Sequence, residues 1–163
     1  GDWSSDVCSS DLNIFYTYTV LNETGEDIDV LVFCMNLKDV KALENIINNN
    51  KIKKINIIQF NMVNYFKNHI KDKTYILIFK DKNKVYFLGV TYENLVSNRV
   101  VNLNSENCEY FLMESFNYCI DRLEKFSGGV KNIYYVNFEE EEKELYMQND
   151  KYHYTDQIGR AHV

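Results

Sequence analysis

Lys73–Phe138, KTYILIFKDKNKVYFLGVTYENLVSNRVVNLNSENCEYFLMESFNYCIDRLEKFSGGVKNIYYVNF, carries the clearest alternation of apolar runs and polar connections in the chain. Three apolar runs come in succession, Tyr75 to Phe79, Val85 to Val90 and Leu95 to Leu103, and each reads as a strand. The polar Lys80-Asp81-Lys82-Asn83-Lys84 suits a hairpin between the first two, and Thr91-Tyr92-Glu93-Asn94 joins the next two, so an antiparallel meander is expected. Ser105 then offers an N-cap, with Glu106 and Glu109 in the first turn of a helix. Leu112, Phe116, Cys119, Ile120, Leu123 and Phe126 line one face of about five turns of that helix. Gly128 and Gly129 stop it, because glycine takes the left-handed conformation cheaply. Ile133 to Val136 makes one more strand, and a helical crossover places it parallel to the first strand in the same sheet.

Toward the N-terminus, Phe15 to Leu21 alternates weakly and reads as a strand, with an edge left exposed. Asp27 to Met35 (DIDVLVFCM) reads as a second, buried strand. Asn36 can cap a helix, with Asp39 in its first turn and Leu37, Val40, Leu43, Ile46 and Ile47 on one face before Asn48 to Asn50 ends it. Ile55 to Phe60 (INIIQF) is expected as a strand, completing a strand–helix–strand crossover. A short helix from about Met62 follows, with Val63, Phe66 and Ile70 on one face. Beyond Phe138, the run Glu139 to Glu142 lacks the Asp/Asn alternation and glycine of a calcium loop and reads as a solvated segment leading into a polar tail.

The ends read differently. Asp2 to Leu12 (DWSSDVCSSDL) and Ile158 to Val163 are what opposite strands of one DNA element would encode, and that element resembles a sequencing adapter. The expected organisation is therefore an adapter-derived 1–12, the end of a first α/β lobe over 13–70, a second lobe over 71–138, an acidic and polar tail over 139–157, and an adapter-derived 158–163. Setting Arg160 and Asp2, Asp6 and Asp11 aside from 18 basic and 24 acidic residues leaves 17 and 21, a net charge of −4. That balance argues against a nucleic-acid partner, which calls for a basic face. No stretch approaches the ~20 apolar residues of a membrane span, so no direct membrane insertion is expected. Cys34, Cys108 and Cys119 show no metal-ligand spacing and are expected to pack as small hydrophobes in a reducing cytoplasm. His69 and His153 stand alone, and no nucleophile–base pair or carboxylate pair is apparent, so no catalytic, cofactor-binding or metal residue is assigned.

The β-β-β-α-β order, preceded by the βαβ end of another lobe, resembles the ribonuclease H-like subdomains of actin-like ATPases. Within that group the chain looks like the pilus-assembly PilM and secretion GspL families. Three stretches carry the resemblance: DVLVFCMNLKDVKALENIINNNKIKKINIIQF from Asp29, VYFLGVTYENLVSNRVVNL from Val85 with Arg99 where the family tends to carry arginine, and SENCEYFLMESFNYCIDRLEKFSGGVKNIYYVN from Ser105. It implies a cytoplasmic scaffold at the inner membrane, bound to the short tail of a PilN-like membrane protein. An ATP site would need Asp-x-Gly followed by Thr or Ser in the hairpin after each lobe's first strand, since glycine lets backbone N–H groups approach phosphates. Phe79 to Lys84 has neither glycine nor hydroxyl, Asp81 reads as a turn residue, and Asn137-Phe138-Glu139 stands where adenine-side glycines belong. The resemblance thus implies a degenerate nucleotide site here, with ATP left to the full-length protein.

Three other readings are open. An active actin-like ATPase of division or partition would keep its phosphate turns in the other lobe. A ribonuclease H-like nuclease needs carboxylates on the first strand; Tyr75 to Phe79 has none, and Glu109 and Glu114 do not fill that gap. An unrelated α/β interaction domain would share only the element order.

Overall fold

The computed structural model describes residues 14–36, 57–139 and 152–156. The adapter-like ends, the helix expected after Asn36, residues 55–56 and the acidic run beyond Glu139 lie outside them. The chain divides into two compact units, 1–56 and 57–163. The division falls ahead of the short helix, which the expected organisation places with the first lobe.

In the first unit, β1 (Ile14–Glu23) and β2 (Ile28–Asn36) form an antiparallel hairpin. Thr24 closes its turn: its backbone N–H donates to the Asp27 carbonyl at 2.8 Å, and its Oγ1 accepts the Asp27 N–H at 3.3 Å. A register shift between Val20 and Asn22 bends β1 near that turn. The strand read over Phe15 to Leu21 therefore has a neighbour along its length.

The second unit begins with α1 (Ile58–Phe66), so Ile58 to Phe60 are helical where the sequence pattern of Ile55 to Phe60 predicts a strand. A run such as Ile55 to Phe60 carries β-branched residues but is too short to show a period, and length is what separates strand from helix in such runs. Met62, Val63 and Phe66, with Ile70 just past the helix, are buried as their spacing predicts. The meander follows as β3 (Thr74–Asp81), β4 (Lys84–Thr91) and β5 (Asn94–Asn102), all antiparallel. Next come α2 (Cys108–Ser127), β6 (Asn132–Val136) and β7 (His153–Asp156). The sheet order β5-β4-β3-β6-β7, with β6 parallel to β3 and β7 parallel to β6, is ribonuclease H-like. The strand β7 lies in what the sequence presents as a polar tail. Four residues hold too little apolar pattern to announce a strand, and pairing with β6 supplies what the local sequence lacks.

Both faces of the central strands are covered: Ile76, Leu77, Ile78, Phe87 and Leu88 are fully buried, as continuous apolar runs require. α2 packs on β4 and β5 through Leu112, Phe116, Cys119, Ile120 and Leu123, while Phe126 is half-buried. Gly89 lets this helix approach. A Cβ there would meet Ser97 Oγ at 2.6 Å and Leu123 Cγ at 3.3 Å. The helix does not start on Ser105, whose hydroxyl donates to the Asn102 carbonyl at 2.6 Å; Asn107, left-handed at φ 59°, is the N-cap instead. At the other end Gly128, at φ 74°, donates its N–H to the Glu124 carbonyl, as the glycine pair foretold.

Candidate functional site

In α/β sheets, ligands bind at the carboxyl ends of parallel strands. Here Asp81 ends β3, Asn137 follows β6 and Asp156 ends β7, all at that end of the sheet. The β3–β4 turn comprises only Lys82 and Asn83, since Asp81 pairs with Lys84. Lys82 takes φ 53°, a conformation that glycine enters far more cheaply. The turn is laced to the next connection: the Asn83 carbonyl accepts the Leu103 N–H at 2.7 Å, and Asn83 Nδ2 donates to Asn102 Oδ1 at 3.2 Å. That same Oδ1 accepts the Asn104 N–H at 3.0 Å. Asn137, left-handed at φ 62°, donates from Nδ2 to the Lys80 carbonyl at 3.3 Å. Asparagine tolerates that conformation where a glycine turn was looked for. Asp81 is exposed and ends β3, paired with Lys84 beside the turn rather than within it. Among the described residues, no group of three His, Cys, Asp or Glu side chains is placed to hold a metal ion.

The opposite end of the sheet carries a shallow depression of about 660 Å³, lined by Asp72, Lys73, Glu124, Lys131 and His153 among others. Beside it the Tyr134 hydroxyl donates to the Asp72 carboxylate. Burial first, then that hydrogen bond and the Asp72 charge, push the Tyr134 phenol well above its ordinary range. Tyr75, stacked edge-on to Tyr134 at 5.6 Å, is pushed up to about 12 by burial and then by Glu93. Both phenols stay neutral at physiological pH, so neither supplies a ready base. The neighbouring β4–β5 turn holds Tyr92 and Glu93 both left-handed, the backbone of a tight two-residue hairpin. Its strain is offset by the Tyr92 N–H donating to the Lys73 carbonyl at 2.7 Å and by Asn94 Nδ2 donating to the Tyr92 carbonyl.

The remaining residues read from the sequence are scattered. His69 closes α1, with Nδ1 3.0 Å from the Tyr65 carbonyl and its ring stacked on Tyr65, while His153 lies in β7. Glu109 and Glu114 sit exposed on α2. Arg99 is exposed on β5, its guanidinium 4.0 Å above the Tyr118 ring. Cys119 packs as expected, accepting from Ser97 Oγ at 2.9 Å, and Cys108 is half-buried; Cys34 is exposed on β2 rather than packed. Its neighbours Val32 and Val30 are exposed as well, so a continuous apolar run misreported the burial of that face.

No protein family matches the chain, and no curated protein matches it in sequence. A solved structure from Bacteroides thetaiotaomicron, described as a protein with actin-like ATPase fold and unknown function, is similar at a TM-score of 0.47 and 11% identity. The match covers 85% of this chain and 51% of that one, so the chain spans about half the length of that protein. Among the described residues, no helix is long and apolar enough to cross a membrane.

Proposed function

We propose that the chain is an actin-like scaffold with a degenerate nucleotide site in its second lobe, acting by position rather than by chemistry. The observation that supports this reading is the β3–β4 turn. Its left-handed residue is Lys82 rather than glycine, and the Asn83 side chain is committed to Asn102. A phosphate cradle needs backbone N–H groups that a γ-phosphate can approach closely, which a side chain at that position opposes. The particular role follows from the resemblance of the three quoted stretches to PilM and GspL: a cytoplasmic part of a type IV pilus or type II secretion assembly platform. In that role it is held at the inner membrane by the short tail of a PilN-like protein, with no nucleic acid and no cofactor of its own in this lobe.

The test is a pair of titrations on the full chain. One uses a fluorescent ATP analogue with Mg²⁺. The other uses a synthetic peptide of the cytoplasmic tail of a PilN-like protein encoded beside this gene. Saturable peptide binding with no saturable nucleotide binding below about 1 mM is expected. Micromolar ATP binding with turnover overturns the scaffold reading, and absence of peptide binding removes the pilus assignment.

A further inference from the structure

The outer edge of β5 pairs with no strand among the described residues, and the sheet order ends there. Its second half is open to solvent: Arg99, Val100 and Asn102 are exposed. A groove of about 290 Å³ runs along it, lined by Arg99, Val100, Val101 and Asn102 and, from α2, by Phe111 and Glu114. Alternate residues of a strand point to opposite faces, so four consecutive residues can line one groove only where it follows the strand's backbone edge. Long open edges are usually blunted by lysine, proline or a short strand. β5 has nine residues, NLVSNRVVN, with neither lysine nor proline.

We propose that this edge pairs with β5 of a second copy of the chain, antiparallel about a two-fold axis at Val100, to form a continuous sheet across a homodimer. The chemistry of the groove selects that occupant. It holds one cation, Arg99, and one anion, Glu114, which share the groove without an ion pair between them. A surface carrying both signs is complementary to itself under a two-fold rotation. The register follows from the residues. Centring on Val100 sets Val100 against its own copy and places Asn98 opposite Asn102 of the second copy. Asn102 uses its Oδ1 toward Asn83 and Asn104 and leaves its Nδ2 amide to donate across the edge. Arg99 falls opposite Val101 of the second copy. Val101 shares its groove with Glu114, so each arginine reaches the other copy's carboxylate. Val100 and Phe111, both exposed large apolar residues, supply the apolar part of the contact.

Sedimentation equilibrium of the full chain tests this, with a reversible dimer expected. Arg99→Glu and Glu114→Arg should each weaken self-association by roughly 10-fold or more, because like charges then face each other. The double exchange R99E/E114R should restore it, since the pairing is rebuilt in reverse. A second measurement needs no variant: amide hydrogen exchange over 98–102 should slow as protein concentration rises. A monomer at every concentration, with exchange over 98–102 unchanged, overturns the proposal. So does a dimer indifferent to both single exchanges, which would place the contact elsewhere, or one that the double exchange does not restore.

Discussion

The β1–β2 and β3–β4 hairpins are built from much the same residues and differ in what covers them. In β3–β4 the apolar residues are buried on both faces, with Ile76, Leu77, Ile78, Phe87 and Leu88 all at 0% exposure. In β1–β2 burial alternates: Leu31 and Phe33 are buried, whereas Val20, Val30 and Val32 are 49%, 41% and 48% exposed. The register explains the pattern, because Tyr18 stands opposite Val32 and Val20 opposite Val30, all on one face. A run such as Val30 to Cys34 marks strand propensity. How many of its faces are buried depends on which elements pack against them, and no residue within the run records that.

Truncation separates the two hairpins most sharply. Phe87→Ala in the two-sided sheet should cost about 3–5 kcal/mol in urea unfolding, since a large cavity is left with little room to collapse. A loss under 1 kcal/mol would mean that the sheet is looser than its burial indicates. Overfilling comes next: Gly89→Ala should cost about 1–3 kcal/mol because its Cβ meets Ser97 Oγ at 2.6 Å. Adding Ser97→Gly should return part of that loss, and strict additivity of the two changes would show that this contact is not the cause.

Alkaline titration sharpens the comparison through the buried acids of the second unit. Cys119 is pushed up to about 12, mainly by burial and against the opposing Ser97 hydrogen bond, and Tyr75 also to about 12 by burial and Glu93. Both are neutral when protonated, and the folded state holds each proton more tightly than the unfolded chain does. Their stabilisation is therefore complete below the ordinary values of 9.0 for the thiol and 10.0 for the phenol, and is lost as pH rises toward 12. Urea midpoints measured from pH 8 upward should fall across that window, and Cys119→Ala should flatten the early part of the fall. At neutral pH a thiol reagent should modify exposed Cys34 quickly and Cys119 only as fast as the sheet opens. Equal rates would contradict the packing of α2 on β4. The smallest effect is expected for Val32→Thr on the open face of β2, within about 0.5 kcal/mol; a larger loss would reveal that this face is covered in solution.

Much of the second unit was legible in the chain itself. Three apolar runs, divided by short polar connections, specified the meander; the 3.6-residue spacing of Leu112 through Leu123 specified α2; Gly128 marked its end. These signals are local, and a helix crossover leaves β6 only one side of β3 on which to pair in parallel. The hairpin connection was legible too, since the polar run Lys80 to Lys84 contains Lys82 and Asn83, which form the turn. What escaped the sequence depended on partners distant along the chain. Ile58 to Phe60 became helix, Tyr154 and its neighbours became β7 only by pairing with Ile133 and the residues around it, and Ser105 gave up the cap to bond Asn102. The groove at β5 has no local signature either, for Arg99 and Glu114 lie fifteen positions apart and meet only because α2 folds back over the edge strand. Local residue patterns set which segments are strands and helices wherever their period is long enough to read. Which faces are buried, which edges stay open and which charges share a groove follow from packing between segments, because those depend on contacts that no single segment contains.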